Sequence, residues 1–184
     1  MNNTIFVRSY PRSGTHYFRS LLETNFGPTW SLQPEGSGQG DSHQLPRKTL
    51  DPGKYFYIRR NFDDVALSFL AWDKNNMGLE YFKSTPWKTI FETGAMRDSA
   101  RRKEWLPDEI RHMTPYTFWR HHVDSWIHTP DVFVVTYEDL REEFQTTMLG
   151  VAGRLKSDKA VFDNILTKED KAPSRPGGFR AVPK

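Results

Sequence analysis

A chain of 184 residues with 36% hydrophobic and 14% aromatic content has the length and apolar material for one domain with a sizeable core. Its net charge of +3 comes from nearly balanced acids and bases, which does not resemble the concentrated basic face of a nucleic-acid binder, so no nucleic-acid partner is expected. There is no cysteine, so disulfides, thiolate metal sites and thiol catalysis are excluded too. No charged-then-apolar leader opens the chain and no apolar run reaches membrane-spanning length, so the expectation is a cytoplasmic protein without a membrane partner.

In chain order, "TIFVR" at Thr4–Arg8 reads as a first strand, followed by a helix over Thr15–Asn25. Gln33–Gly40, "QPEGSGQG", is a Gly/Ser loop that leads into "SHQLP" at Ser42–Pro46. A second strand, "KYFYIR" at Lys54–Arg59, precedes a helix over Asp63–Asp73 whose Val65, Ala66, Leu67, Leu70 and Ala71 form one broad stripe. Asn75–Lys103 mixes aromatics with charges and reads as two short helices and a loop. A helix over Pro107–His128, a third strand "DVFVVTY" at Asp131–Tyr137 and a helix over Leu140–Leu155 follow, and the stretch from Lys171 is loop-like. Near-continuous apolar strands between helices indicate a parallel sheet buried on both faces, hence an α/β fold with right-handed crossovers.

The junction of the first strand and helix, "SYPRSGTHYFRSLLE" at Ser9–Glu23, suits an anion. Gly14 permits close backbone approach, and the first N–H groups of the helix have no intrahelical partners. With the helix dipole they favour phosphate or sulfate; Ser13 and Thr15 add hydroxyls and Arg12 a permanent charge. An alternative reading stays open on these residues alone: Ser13 or Thr15 caps the helix and Gly14 relieves a turn. The nucleoside-triphosphate pattern G-x-x-x-x-G-K-[ST] is not present.

"YPRSGTHYFRSLLE" resembles the 5′-phosphosulfate loop of the PAPS-dependent sulfotransferases, written YPKSGTTW, where PAPS is 3′-phosphoadenosine 5′-phosphosulfate. "YFYIRRNFDDVALSFLAW" at Tyr55–Trp72 resembles that family's 3′-phosphate segment, a strand followed by R-N-P-x-D-x-x-x-S, with Arg60 and Ser68 on the matching positions and Phe62 in place of Pro. "SHQLP" is similar to the T-H-L-P segment that carries the catalytic His, with Gln44 as an extra residue after His43. "VFVVTYEDL" resembles a strand ending in F-Y-E-D, which implies a place for Tyr137 near the adenine or the sulfuryl group or, equally, a core tyrosine. "SRPGGF" is loosely similar to the R-K-G-x-x-G loop over the 3′-phosphate, through Arg175 and Gly177.

The resemblance implies a three-layer, P-loop-NTPase-like sulfotransferase fold in a single domain over 1–184, with 75–130 building the acceptor site and 171–184 as a tail. It implies sulfuryl transfer from PAPS to a hydroxyl or amine of a small-molecule or carbohydrate-type acceptor, leaving 3′,5′-ADP. His43 is then the general base, and Arg12, Ser13, Gly14 and Thr15 hold the phosphosulfate. Arg almost never gives up a proton, so the role of Arg12 is electrostatic. His16, in place of a second Thr, is a contact or a second candidate base, and Tyr17, in place of Trp, a stacking partner for adenine. No metal is expected. His112, His121, His122 and His128 read as exposed or acceptor-facing, and adjacent His121 and His122 point to different helix faces. Trp87, Trp105, Tyr116, Phe118 and Trp119 line an acceptor pocket or, better for any one of them, belong to the core, and Arg101–Lys103 is a solvated run or an attractor of acidic acceptors. The oligomeric state stays open. Two rival readings are a small P-loop kinase using ATP and magnesium, and a non-catalytic nucleotide-binding module.

Overall fold

The computed structural model describes residues 3–33, 43–50, 52–73, 77–93 and 108–165. Among these residues four parallel strands form one sheet in the order β2-β1-β3-β4: β1 (Thr4–Ser9), β2 (Ser31–Leu32), β3 (Lys54–Arg59) and β4 (Val132–Thr136). Phe6 pairs with Tyr55 and Ser9 with Ile58, and on the other side of β3 Phe56 pairs with Phe133. The consecutive Ile5, Phe6 and Val7 are all buried, as are Tyr55, Phe56, Tyr57 and Ile58. A strand can bury consecutive residues only when both faces of its sheet are covered.

Among the described residues the helices are α1 (Thr15–Phe26), α2 (Phe62–Asp73), α3 (Leu79–Ser84), α4 (Trp87–Glu92), α5 (Pro115–Ile127), α6 (Tyr137–Glu142) and α7 (Phe144–Leu155), with a 3₁₀ turn at Asp108–Ile110. None among the described residues is long and apolar enough to cross a membrane.

The chain divides into two compact units, the first made of residues 1–60 and 121–165 and the second containing 61–120. The first has three layers. On one face of the sheet Trp126 of α5 stacks on Tyr57 and Tyr55, with ring centroids 5.9 and 6.3 Å apart. On the other, Phe56 meets Phe18 of α1 and Phe133 of β4, each at 5.8 Å, and Gly150 of α7 lies against the Phe133 ring. The segment after α7 is fastened by side-chain amides that imitate strand pairing: Asn25 exchanges two hydrogen bonds with the backbone of Asp163, and Gln145 two with that of Phe162.

The second unit is built on aromatic rings. Phe82 packs edge-on against Trp87 at 5.5 Å, Trp87 stacks on Phe91, and Phe69 closes on Phe82. Phe62 is the first residue of α2, after Asn61, whose Oδ1 accepts from the Asp63 N–H. Proline would suit that first position, but here a buried ring anchors the cluster against Phe82 and Trp119. Trp87 and Phe118 are core and Tyr116 is exposed; Trp105 and Arg101–Lys103 lie outside the described residues.

Three sequence expectations need correction. The helix over Pro107–His128 begins only at Pro115, because Thr114 Oγ1 accepts from the Thr117 N–H and proline takes the first helical position. The helix over Leu140–Leu155 is two helices. Thr136 caps the first by accepting from the Asp139 N–H, and Glu143, with φ −123° and ψ 45°, breaks the run. The short β2 was not read as a strand.

Phe56→Ala should lower the unfolding free energy by about 3–5 kcal/mol, read from urea midpoints, because its ring is enclosed on all sides.

Candidate active site

β1 ends at Ser9, and the chain then turns through Tyr10–Gly14, closed by the Ser13 N–H donating to the Tyr10 carbonyl at 3.2 Å. Two residues of this turn are left-handed, Arg12 at φ 68° and Gly14 at φ 95°. An arginine there costs about 1–2 kcal/mol of local strain, which the surrounding contacts must hold in place. Left-handed residues just before a helix start are the kind of backbone from which anion nests are built.

The capping alternative is not what the loop builds. Gly14 is the N-cap of α1, no side chain caps it, and no acidic residue sits in the first turn. Thr15 Oγ1 is hydrogen-bonded to Ser9 Oγ instead. Ser13 is 0% exposed and its hydroxyl has no hydrogen-bond partner. A buried hydroxyl without a partner costs about 1–3 kcal/mol, and its place beside an uncapped helix start makes it a candidate for contact with a ligand.

The ends of β3 and β4 meet this loop. The Arg60 guanidinium lies over the Tyr137 ring, 4.5 Å from its centroid, and its Nη1 donates to the Arg12 carbonyl at 3.5 Å. Tyr137 presses on Gly14: a Cβ added there would lie 2.5 Å from Tyr137 Cδ2. Because β2 and β3 lie on opposite sides of β1, the loop sits at the switch point of the sheet, where α/β folds bind ligands.

His43 arrives from the segment after β2. Its Nδ1 lies 2.9 Å from the Ser9 carbonyl and 3.3 Å from Ser9 Oγ. A carbonyl only accepts, so Nδ1 carries the proton and Nε2 of the neutral ring carries the lone pair. The next residues, Gln44, Leu45 and Arg47, line a small cleft of about 70 Å³ with Arg8 and Trp126.

Thus Arg12, Ser13, Gly14, Thr15, His43, Arg60 and Tyr137 gather at the C-terminal edge of the sheet. Of the other candidates, two belong to α1, one to the second unit, and two to residues outside those described. His16 is exposed on the first turn of α1. Tyr17 is 3% exposed, donates its hydroxyl to Asn164 Oδ1 at 3.0 Å and meets Tyr137 edge-on at 6.0 Å. Ser68 is half-buried on α2 in the second unit. Arg175 and Gly177 lie outside the described residues.

His122 departs from expectation. It is 0% exposed, with Nε2 3.0 Å from the His43 carbonyl and Nδ1 2.9 Å from the Tyr57 hydroxyl. Burial is the main cause that holds its pKa down to about 3, against a hydrogen bond to the His43 carbonyl that works the other way. The clue lay in the helical period, since His122 stands four residues from both Phe118 and Trp126, which are also buried.

The family model for the sulfotransferase domain matches residues 41–168. The chain belongs to the sulfotransferase domain family. The matched span of this sulfotransferase domain holds His43, Arg60, Ser68 and Tyr137, and the strand, loop and helix of residues 4–26 precede it. Among solved structures, a mouse sulfotransferase, SULT7A1, complexed with PAP is similar in fold at a TM-score of 0.52 and 20% identity, over 86% of this chain and 60% of that one. A retinol dehydratase in complex with androsterone and the inactive cofactor PAP matches at a TM-score of 0.48 and 15% identity, over 92% of this chain and 62% of that one. The chain therefore spans about three fifths of the length of either structure. Comparison with curated protein sequences returned no match.

Gly14→Ala should cost about 1–3 kcal/mol of stability through strain and collision with Tyr137. Gly153→Ala, on the open side of α7 with nothing within 4 Å of the added Cβ, should instead stabilise by about 0.4–1 kcal/mol in the same urea titration.

The folded pKa of His122 lies below the unfolded value of 6.5, so unfolding takes up a proton between those limits. Its contribution is complete above about pH 6.5 and is lost as pH falls towards about 3. Melting at about pH 7.5 and about pH 5 should give a smaller drop for His122→Gln, which does not titrate there, than for the parent chain.

Proposed function

We propose that this chain transfers the sulfuryl group of PAPS to a hydroxyl or amine of a small-molecule or carbohydrate-type acceptor, with His43 as the general base. One observation carries the reading: His43 is hydrogen-bonded to Ser9, the strand residue that opens into the anion loop, so base and loop share one strand end. The buried Ser13 hydroxyl and the uncapped start of α1 suit the oxygens of a phosphosulfate. Arg60, after β3 and tied to the Arg12 carbonyl, is the candidate for the 3′-phosphate. The mouse sulfotransferase structure contains PAP, and we carry the same nucleotide over to this loop.

In this reading the acceptor oxygen bonds to sulfur as the bond between sulfur and the 5′-phosphate oxygen breaks. The acceptor proton passes to His43 Nε2, and 3′,5′-ADP departs. Charge builds on the departing oxygen, where Arg12, the loop N–H groups and the Ser13 hydroxyl answer it without reorganising. We assign the cleft after His43 to the acceptor.

At a hundredfold excess over its dissociation constant, 3′,5′-ADP should add about 2.7 kcal/mol of stability without magnesium. An equal response to ADP would reject the nucleotide assignment, and a preference for ATP with magnesium would favour a kinase. His43→Ala should keep the 3′,5′-ADP response but lose about 10²- to 10⁴-fold in turnover of PAPS across a panel of phenols, alcohols and amines. Undiminished turnover would move the base elsewhere, with His16 the next residue to replace.

A further inference from the structure

We propose that His122 and Trp126 are positioning residues: one turn apart on α5, they grip the consecutive carbonyls of His43 and Gln44 and thereby aim the His43 ring. His122 Nε2 donates to the His43 carbonyl at 3.0 Å, and Trp126 Nε1 donates to the Gln44 carbonyl at 2.8 Å. Residues four apart share a helix face, so one rigid element holds two successive peptide groups. This inference rests on the reading of His43 as the base.

The donor directions leave no choice. The His43 carbonyl can only accept, so His122 Nε2 carries hydrogen and Nδ1 is an acceptor. The Tyr57 hydroxyl must then donate to Nδ1, at 2.9 Å. His43 Nδ1–H in turn donates to the Ser9 carbonyl. The bonds run as one chain from Tyr57 through His122 and His43 to Ser9, and they tie the base to the strand residue that opens into the anion loop.

Packing alone does not account for this pattern. Tyr57 stacks on Trp126 with an interplanar angle of 11°, and the Tyr10 ring meets His122 edge-on at 5.7 Å. An apolar side chain at position 122 would serve such contacts without the cost of burying an imidazole. What an apolar residue lacks is a donor for the His43 carbonyl matched to an acceptor for Tyr57.

The test is a set of four variants, read by PAPS turnover, by 3′,5′-ADP affinity and by ¹⁵N NMR of the His43 tautomer. Tyr57→Phe keeps the ring stack and removes only the hydroxyl. Trp126→Phe keeps an aromatic ring and removes the N–H. We expect each to lower kcat by about 10- to 100-fold, the scale of a small misplacement of a catalytic group. Nucleotide affinity should stay within about twofold. His43 should change from a single Nδ1–H tautomer to a mixture. His122→Leu should behave like Tyr57→Phe, whereas His122→Gln, whose amide can both donate and accept, should recover most of the turnover. Unchanged kcat and an unchanged tautomer in Tyr57→Phe and Trp126→Phe would overturn the clamp, and the tautomer decides if the two disagree. If His43→Ala stays active, the base assignment fails, and the tautomer signal alone then judges the clamp.

Discussion

Gly14 has no side chain, and Tyr137 occupies the space where one would be. That single contact fixes the relation between the loop after β1 and the end of β4. It lets the loop take its left-handed turn, leaves the first N–H groups of α1 without a side-chain cap, and puts an aromatic face under Arg60. A parallel sheet delivers the C-terminal ends of all its strands to one edge, so loops distant in sequence reach the same place. Gly14 and Tyr137 are 123 positions apart, and only the register of β1, β3 and β4 makes them neighbours.

Polar groups at this edge are arranged so that backbone carbonyls dictate the state of each imidazole. Ser9 fixes the tautomer of His43, and the His43 carbonyl fixes that of His122. Direction set by carbonyls is robust, because a carbonyl has no proton to exchange. The loop and the candidate base thus share their supports, and neither can shift far without the other.

Much of the fold was legible in the letters. The runs at Thr4–Arg8, Lys54–Arg59 and Asp131–Tyr137 are apolar without alternation, which only a doubly covered sheet accommodates. The Pro-Arg-Ser-Gly-Thr turn was legible for the same physical reason that it works: few residue types can make a left-handed turn into a helix. The Thr114-Pro115 start is also written there, as a capping hydroxyl followed by a proline at the first helical position. The break at Glu143 was not legible, because "REEF" is compatible with helix throughout and tertiary packing overrides propensity. β2 was too short to carry a pattern. The burial of His122 does not follow from its residue type, which favours the surface, but from its spacing to Phe118 and Trp126, which places it inside.

Tyr17 holds two distant parts of the first unit through one side chain. Its ring edge rests on Tyr137, the residue that presses on the loop, while its hydroxyl is bound to Asn164 next to the stretch fastened by Asn25 and Gln145. One phenol thus bridges the ring that fills the space at Gly14 and the segment that closes the first unit, so the packing of the loop and the seating of that segment draw on the same side chain.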